Sequence, residues 1–219
     1  MSNSDTIDPS REPLSLGEVA FALAPYGVTL SDAQLAAIAR YVQILLAWNK
    51  SINLTAIEDP TEVVARHFGE SIFANSVIPV QFGRLADVGT GAGFPGMALK
   101  IAFPDLHVTL IEPNHKKCAF LAEAKLSLGL TGVEIVKERY EDVIGAAKPF
   151  DFLCSRALGN YRQFLRWARP ATKTDGSVIL WLGTGDSIVI SRTNGWTWRV
   201  PVPIPESRRR VILVGRPNS

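Results

Sequence analysis

The stretch RLADVGTGAGFPGMALKIAF, Arg84–Phe103, constrains the fold more than any other. An apolar run ends at Val88, Gly89, Gly91, Gly93 and Gly96 follow in close succession, and an apolar helical pattern resumes. A strand, a glycine-dense turn and a helix in that order predict an α/β unit whose backbone closely approaches a ligand at the helix N-terminus. Pro95 suits the first turn of that helix, where its missing N–H costs nothing.

The texture on either side extends the reading. Upstream, SLGEVAFALAPYG predicts a short helix stopped by Pro25 and Gly27, and SDAQLAAIARYVQILLAWNK a longer one capped by Ser31. DPTEVVARHFGESIFAN predicts a third amphipathic helix with Pro60 near its start. Downstream, HVTLIE, VEIVKE, FDFLCSR and GSVILWL read as strands separated by helices over NHKKCAFLAEAKLSLGL and NYRQFLRWAR. WTWRVPVPI and RRRVILVGR then read as two strands with no helix between them. The alternation implies a mostly parallel sheet of seven strands, covered on both faces, with an antiparallel C-terminal edge pair. Residues 1–13 form a polar tail expected to be disordered, 14–80 a helical extension, and 81–219 the sheet core, packed with the extension as one unit.

Two ligand patterns overlap in the glycine turn. D-x-G-x-G-x-G, from Asp87 through Gly93, suggests a loop around S-adenosylmethionine; G-x-G-x-x-G, from Gly91 to Gly96, suggests a dinucleotide. Asp87 ends the strand before the first glycine, poorly placed for a pyrophosphate but well placed for the amino end of a sulfonium amino acid. Glu112 ends the next strand, where an acid accepts from ribose hydroxyls. Two acids suit a cationic sulfonium better than a dinucleotide, and no tyrosine–lysine hydride-transfer pair or second substrate domain accompanies the loop. Asp87, Gly89, Thr90, Gly91, Gly93 and Glu112 are therefore the expected cradle. Tyr140 and Glu141, after the third strand, are expected to reach the adenine, although Glu141 can equally serve as an exposed acid complementing a helix dipole.

Charge is uneven. Residues 1–150 carry 12 Lys/Arg and 17 Asp/Glu, while residues 151–219 carry 11 and 4. A basic C-terminal third fits a polyanionic partner. Arg162, Arg166 and Arg169 fall on one face of a helix and Phe164 and Trp167 on another, so the arginines are expected to meet phosphate and the aromatics to face the core. Arg208, Arg209 and Arg210 open the last strand, either as a phosphate contact or as an edge guard. Asn53, Thr55, Arg66 and His67 read either as a polar cluster positioning RNA or, for Asn53 and Thr55, as caps of the helix beginning near Asp59, with His67 a packing residue. Arg156, directly after the fourth strand, can hold a cofactor carboxylate, an RNA phosphate or a rim salt bridge. Cys118 and Cys154 sit in apolar segments and read as buried thiols; no metal-ligand set is expected. With no apolar run long enough to span a bilayer and no secretory leader pattern, a cytoplasmic protein is expected.

Taken together, WNKSINLTAIEDPTEVVARHFGES (Trp48–Ser71), DVGTGAGFPG (Asp87–Gly96), Glu112, ERYED (Glu138–Asp142) and SRALG (Ser155–Gly159) resemble the bacterial small-subunit ribosomal RNA guanine-N7 methyltransferases, also called glucose-inhibited division protein B. The resemblance runs from about residue 35 to 185. It implies a class I, Rossmann-like methyltransferase fold, S-adenosylmethionine as cofactor, and methylation of N7 of one guanine in the 16S ribosomal RNA. Implied partners are that RNA or the assembled small subunit, met by a monomer without membrane contact. By the family pattern Gly89, Phe94, Tyr140, Glu141 and Arg156 contact the cofactor; Asn53, His67 and Arg156 are candidates to position the target; Arg66, Arg162, Arg166, Arg208, Arg209 and Arg210 are candidate RNA contacts. Guanine N7 carries a lone pair and no proton, so the absence of an evident catalytic dyad fits this chemistry. The sequence departs from the family at Glu70, where the pattern has Asp, and at Leu182, where it has Lys.

Overall fold

Ser15 starts the helical part by its own side-chain chemistry. In a computed structural model, which describes residues 12–143, 149–156 and 158–218, most of the expected tail lies outside the described residues. Ser15 accepts from Glu18 N–H while Glu18 reaches back to Ser15, a capping box that opens α1 (Leu16–Leu23). Pro25 and Gly27 then stop the helix, with one 3-10 turn over Ala24–Tyr26 and Gly27 at φ 65°. Ser31 and Gln34 repeat the capping box at α2 (Asp32–Asn49).

The third helix is not the single one that periodicity suggests. Asp59 caps α3 (Pro60–Val63), the backbone widens into a π-helical segment over Val64–Gly69, and α4 (Glu70–Ile72) and α5 (Ala74–Val77) complete the run. Gly69 lets the Tyr26 ring press on the backbone where a Cβ would collide with it. The widened turn carries Arg66 and His67 and leads straight into Glu70, at a place where such turns often serve function.

From Gly83 the chain alternates: β1 (Gly83–Val88), α6 (Gly96–Ala102), β2 (Leu106–Ile111), α7 (His115–Ser127), β3 (Val133–Val136), β4 (Phe150–Arg156), α8 (Tyr161–Ala171) and β5 (Thr172–Gly183). Then come α9 (Thr184–Ile190), β6 (Trp196–Trp198), β7 (Val202–Pro203) and β8 (Arg210–Pro217). Strands lie in the order β3-β2-β1-β4-β5-β8-β6, with β7 also on β8. β1 to β5 pair in parallel, and β8 is antiparallel to β5, β6 and β7. The expected antiparallel edge is present, but the described residues hold eight strands, not seven. WTWRVPVPI splits at Val200–Pro201 because the prolines of this segment cannot donate to a ladder. Helix α9 was not expected from sequence; its seven residues are too few to display a period.

Side chains alternate across the sheet. Leu85 faces one apolar cluster with α1, α2, α6 and α7, whereas Ala86 and Val88 face a second with α8 and α9. The chain steps outward from β1 to β3 and returns to β4 beside β1, so the loops after β1 and β4 part at their carboxyl ends and open a crevice there.

Candidate active site

The four glycines after β1 do two different jobs. Among the described residues a Cβ on Gly89 would meet only Leu158, at 3.5 Å, and one on Gly91 only Gly89 O, at 3.9 Å; both are ordinary contacts, so packing closes neither position. By contrast, a Cβ on Gly93 would run into the Tyr41 hydroxyl and Met97, and one on Gly96 would meet Leu110 at 2.6 Å and Asp87 at 2.9 Å. Gly91 and Gly93 have φ of 58° and 82°, a region that opposes L side chains. The pair that packing leaves unclosed belongs to the first sequence pattern. In the second, the glycine that should admit a pyrophosphate is closed by Tyr41. Helix α6 begins at Gly96, with Pro95 in the cap position rather than in the first turn.

Two carboxylates hold the turn. Glu112, 5% exposed, accepts Gly91 N–H at 2.9 Å through Oε2 and Asn114 N–H at 2.9 Å through Oε1, and each oxygen keeps a further lone pair. Asp87 is enclosed: its Oδ2 accepts from Thr90 Oγ1 at 2.6 Å and Gly96 N–H at 2.8 Å. Burial raises its pKa to about 6, opposed by bonds from Thr90, Gly96 and the buried thiol of Cys154. Its Oδ1 finds no nitrogen or oxygen partner. Thr90 is therefore turned inward as well, and Asp87 acts on the loop from beneath. Tyr140 packs edge-on against Phe164 and Trp167, and Glu141 accepts from Gln163 Nε2 at 3.2 Å beside the start of α8. Burial first, then the neighbouring Glu141, pushes the Tyr140 hydroxyl up to about 12, so it stays a neutral donor.

Phe94 lies at the seam between helices and core, 5% exposed. Its ring stacks on His67, 4.7 Å between centroids, and meets Tyr41 and Phe68 edge-on. Tyr41, wholly buried, donates to Ala92 O at 2.8 Å and ties α2 to the glycine loop. His67 shares a 2.8 Å bond with Thr55 Oγ1 through Nε2. Burial, with Arg156, Arg66 and Arg210 nearby, lowers its pKa to about 3, so the ring is neutral at physiological pH and no proton carrier. Asp59, not Asn53 or Thr55, caps the next helix, and Asn53 is exposed.

The same seam holds a residue that sequence reading flagged only as a departure. Glu70 is 0% exposed and faces three guanidinium groups: Arg66 Nε at 3.0 Å, Arg156 NH2 at 3.6 Å and Arg210 NH2 at 2.6 Å. Arg156 also donates to Arg66 O at 3.0 Å, and Trp181 to Glu70 O at 2.8 Å. The arginines expected at the rim, in the helix and in the last strand thus converge on one buried carboxylate; with Glu62 also 3.4 Å from Arg66, three guanidinium groups face two carboxylates and one positive charge is left over. Of the three contacts to Glu70, the one from Arg66 has i,i+4 spacing, as does the pair Glu62–Arg66; those from Arg156 and Arg210 come from distant strands. Arg208 and Arg209 are exposed and part from Arg210; Arg162, Arg166 and Arg169 are exposed on α8, with Phe164 buried behind them.

Comparison with known proteins decides between the readings. The family model described as GidB, rRNA small subunit methyltransferase G, matches residues 34–193. The chain belongs to this family. Over 211 residues it is 36% identical to the ribosomal RNA small subunit methyltransferase G of Limosilactobacillus fermentum, covering 88% of this chain and 86% of that protein. To the same enzyme of Syntrophus aciditrophicus it is 39% identical over 186 residues, covering 83% and 76%. Among solved structures, a SAM-dependent methyltransferase from Aquifex aeolicus superposes with a TM-score of 0.61 at 17% identity, covering 73% of this chain and 94% of that one, a likeness of fold alone. As a member of the methyltransferase G family the chain is an S-adenosylmethionine-dependent enzyme of class I fold. Its crevice fits that cofactor: Gly89 and Gly91 offer an open backbone, and Glu112 stands directly behind them. Among the described residues no cluster of His, Cys, Asp and Glu can hold a metal ion, and no helix is long and apolar enough to cross a membrane.

Proposed function

We propose that this chain methylates N7 of one guanine in the 16S ribosomal RNA, acting as a monomer. S-adenosylmethionine supplies an electrophilic methyl group on a sulfonium. The observation that carries the proposal is the unobstructed Gly89–Gly91 backbone backed by Glu112, beside a packed His67 whose lowered pKa of about 3 makes it a weak base and an Asp87 that is sealed. That is the site an acceptor atom with a free lone pair needs, because alignment rather than proton removal then lowers the barrier. Glu112 accepts from the ribose hydroxyls, the Gly89–Gly91 backbone lines the methionine portion, and Tyr140 and Glu141 border the adenine. Asp87 and Thr90 fix the loop. Phe94, clamped by His67 and Tyr41, sets the floor against the helical extension. Arg66, Arg156 and Arg210, in excess over Glu62 and Glu70, present positive potential to the RNA, with Arg208, Arg209 and Asn53 at the exposed lip.

The test is transfer itself. Methyl-labelled S-adenosylmethionine is incubated with the purified protein and, in separate reactions, with naked 16S RNA, with small subunits from cells lacking the endogenous modification, and with transfer RNA. Label in the small-subunit RNA is expected; label in transfer RNA instead would overturn the substrate assignment.

A further inference from the structure

We infer that the groove between α8 and α9 is a second RNA site, which holds the sugar–phosphate backbone of the substrate strand outside the methylation crevice. The inference rests on the reading of the chain as an RNA methyltransferase and adds to it where the strand runs.

A groove of about 770 Å³ separates the two helices. Its upper end is formed by the residues that follow β4 and β5, at the carboxyl ends of parallel strands, so it opens beside the crevice. Arg162, Arg166 and Arg169 line one side and Arg192 closes the other, against a single acid, Asp186. Spacing of four and then three residues puts the α8 arginines in a row along one helix face. All four are exposed.

The row is unneutralised, and two features of its placement set it apart from an ordinary solvated face. Among the described residues, Arg162, Arg166 and Arg192 have no carboxylate within ion-pairing distance, as also holds for the isolated Arg40 and Lys125, so the charge of the row is not neutralised locally. Arg162 occupies the first turn of α8, which contains no acid, so its charge opposes the helix dipole. Arg162 and Arg166 also repel each other as like charges four residues apart. The placement costs helix stability, and a polyanion laid along the row reverses each cost. Val189, 70% exposed on the α9 side, gives the groove an apolar wall that suits sugar and base faces. The occupant with regularly spaced charge and such faces is a nucleic acid strand, and in this enzyme it is the substrate RNA.

The test compares wild type with a variant carrying Arg162→Gln, Arg166→Gln and Arg192→Gln. A control carries Arg40→Gln and Lys125→Gln on α2 and α7, which pack on the opposite face of the sheet. Equilibrium binding to labelled 16S RNA is measured at several potassium chloride concentrations, independently of methyl transfer. Three lost phosphate contacts lower the slope of log affinity against log salt by about 2 on single-stranded RNA. Between about 50 and 200 mM salt, wild type should then lose roughly tenfold to twentyfold more affinity than the triple variant. The control should keep the wild-type slope, and S-adenosylmethionine affinity should be the same in all three proteins. An unchanged slope in the triple variant overturns the inference even if methylation is confirmed. A reduced slope without any methyl transfer upholds the groove and sinks the proposed reaction instead. Weaker binding to assembled subunits with unchanged binding to naked RNA would give the groove to a subunit protein and overturn the RNA assignment.

Discussion

Glu70 takes on three arginines where a family member ordinarily has the shorter Asp. Removing its charge strands three guanidinium groups at a buried seam, so Glu70→Gln should lower unfolding free energy by about 3–5 kcal/mol, the range for breaking a buried ion pair from one side. Glu70→Asp keeps the charge but withdraws it from Arg210, and thermal unfolding should show a smaller loss. The enclosed Asp87 gives a pH signature. Its native pKa of about 6 lies above the ordinary carboxylate value of 3.8. Between those values the native state binds more protons than the unfolded state, so this group lowers stability as pH rises through that window and costs ~3 kcal/mol above it. Urea unfolding from pH 4 to 7 should therefore show a shallower fall for Asp87→Asn than for wild type; parallel curves would show that the carboxylate is not desolvated. Both residues were legible in the sequence as acids in meaningful places. Their partners were not, because Arg156 and Arg210 reach Glu70 only after β4 and β8 are laid in the sheet.

The glycine loop and its helix can be tested by the contrast between neighbouring positions. Gly91→Ala gives its methyl an ordinary contact at 3.9 Å and left-handed backbone strain, so the protein should still fold while calorimetry finds much weaker S-adenosylmethionine binding. Gly93→Ala drives its methyl into the buried Tyr41 hydroxyl and should cost stability first, seen as a clear drop in melting temperature with poor expression. Equal stability losses at the two positions would contradict the division of labour. Sequence placed the loop between a strand and a helix because glycine density and periodicity are local signals. It did not separate ligand-facing from packing glycines, since Tyr41 arrives from α2. Helix α9 and the break between β6 and β7 escaped for a related reason: seven residues and a proline-rich edge carry too little pattern.

Across the whole molecule, the extension and the core share one apolar cluster, from Val19 and Tyr41 to Phe94 and Phe120. Four interlocking rings at that seam, each worth about 2–3 kcal/mol when buried, exceed what a separable cap would use. A chain begun at residue 81 should be insoluble or molten, and the full chain should unfold in one calorimetric transition with equal calorimetric and van't Hoff enthalpies; two resolved transitions would show two domains. The helices of the extension were readable from their caps and periods, but their role as one wall of the loop's surroundings was not, because only tertiary contact brings Tyr41, Phe68 and His67 to Phe94. The most direct measurement is the position of the transferred methyl. Small subunits lacking the endogenous modification are incubated with the enzyme and S-adenosylmethionine, and the RNA is then cleaved by chemistry selective for 7-methylguanine. One new cleavage, at a single guanine of the 16S RNA and dependent on the enzyme, is the result this account predicts. Label on another atom or on scattered guanines, from a protein that binds the cofactor, would contradict it.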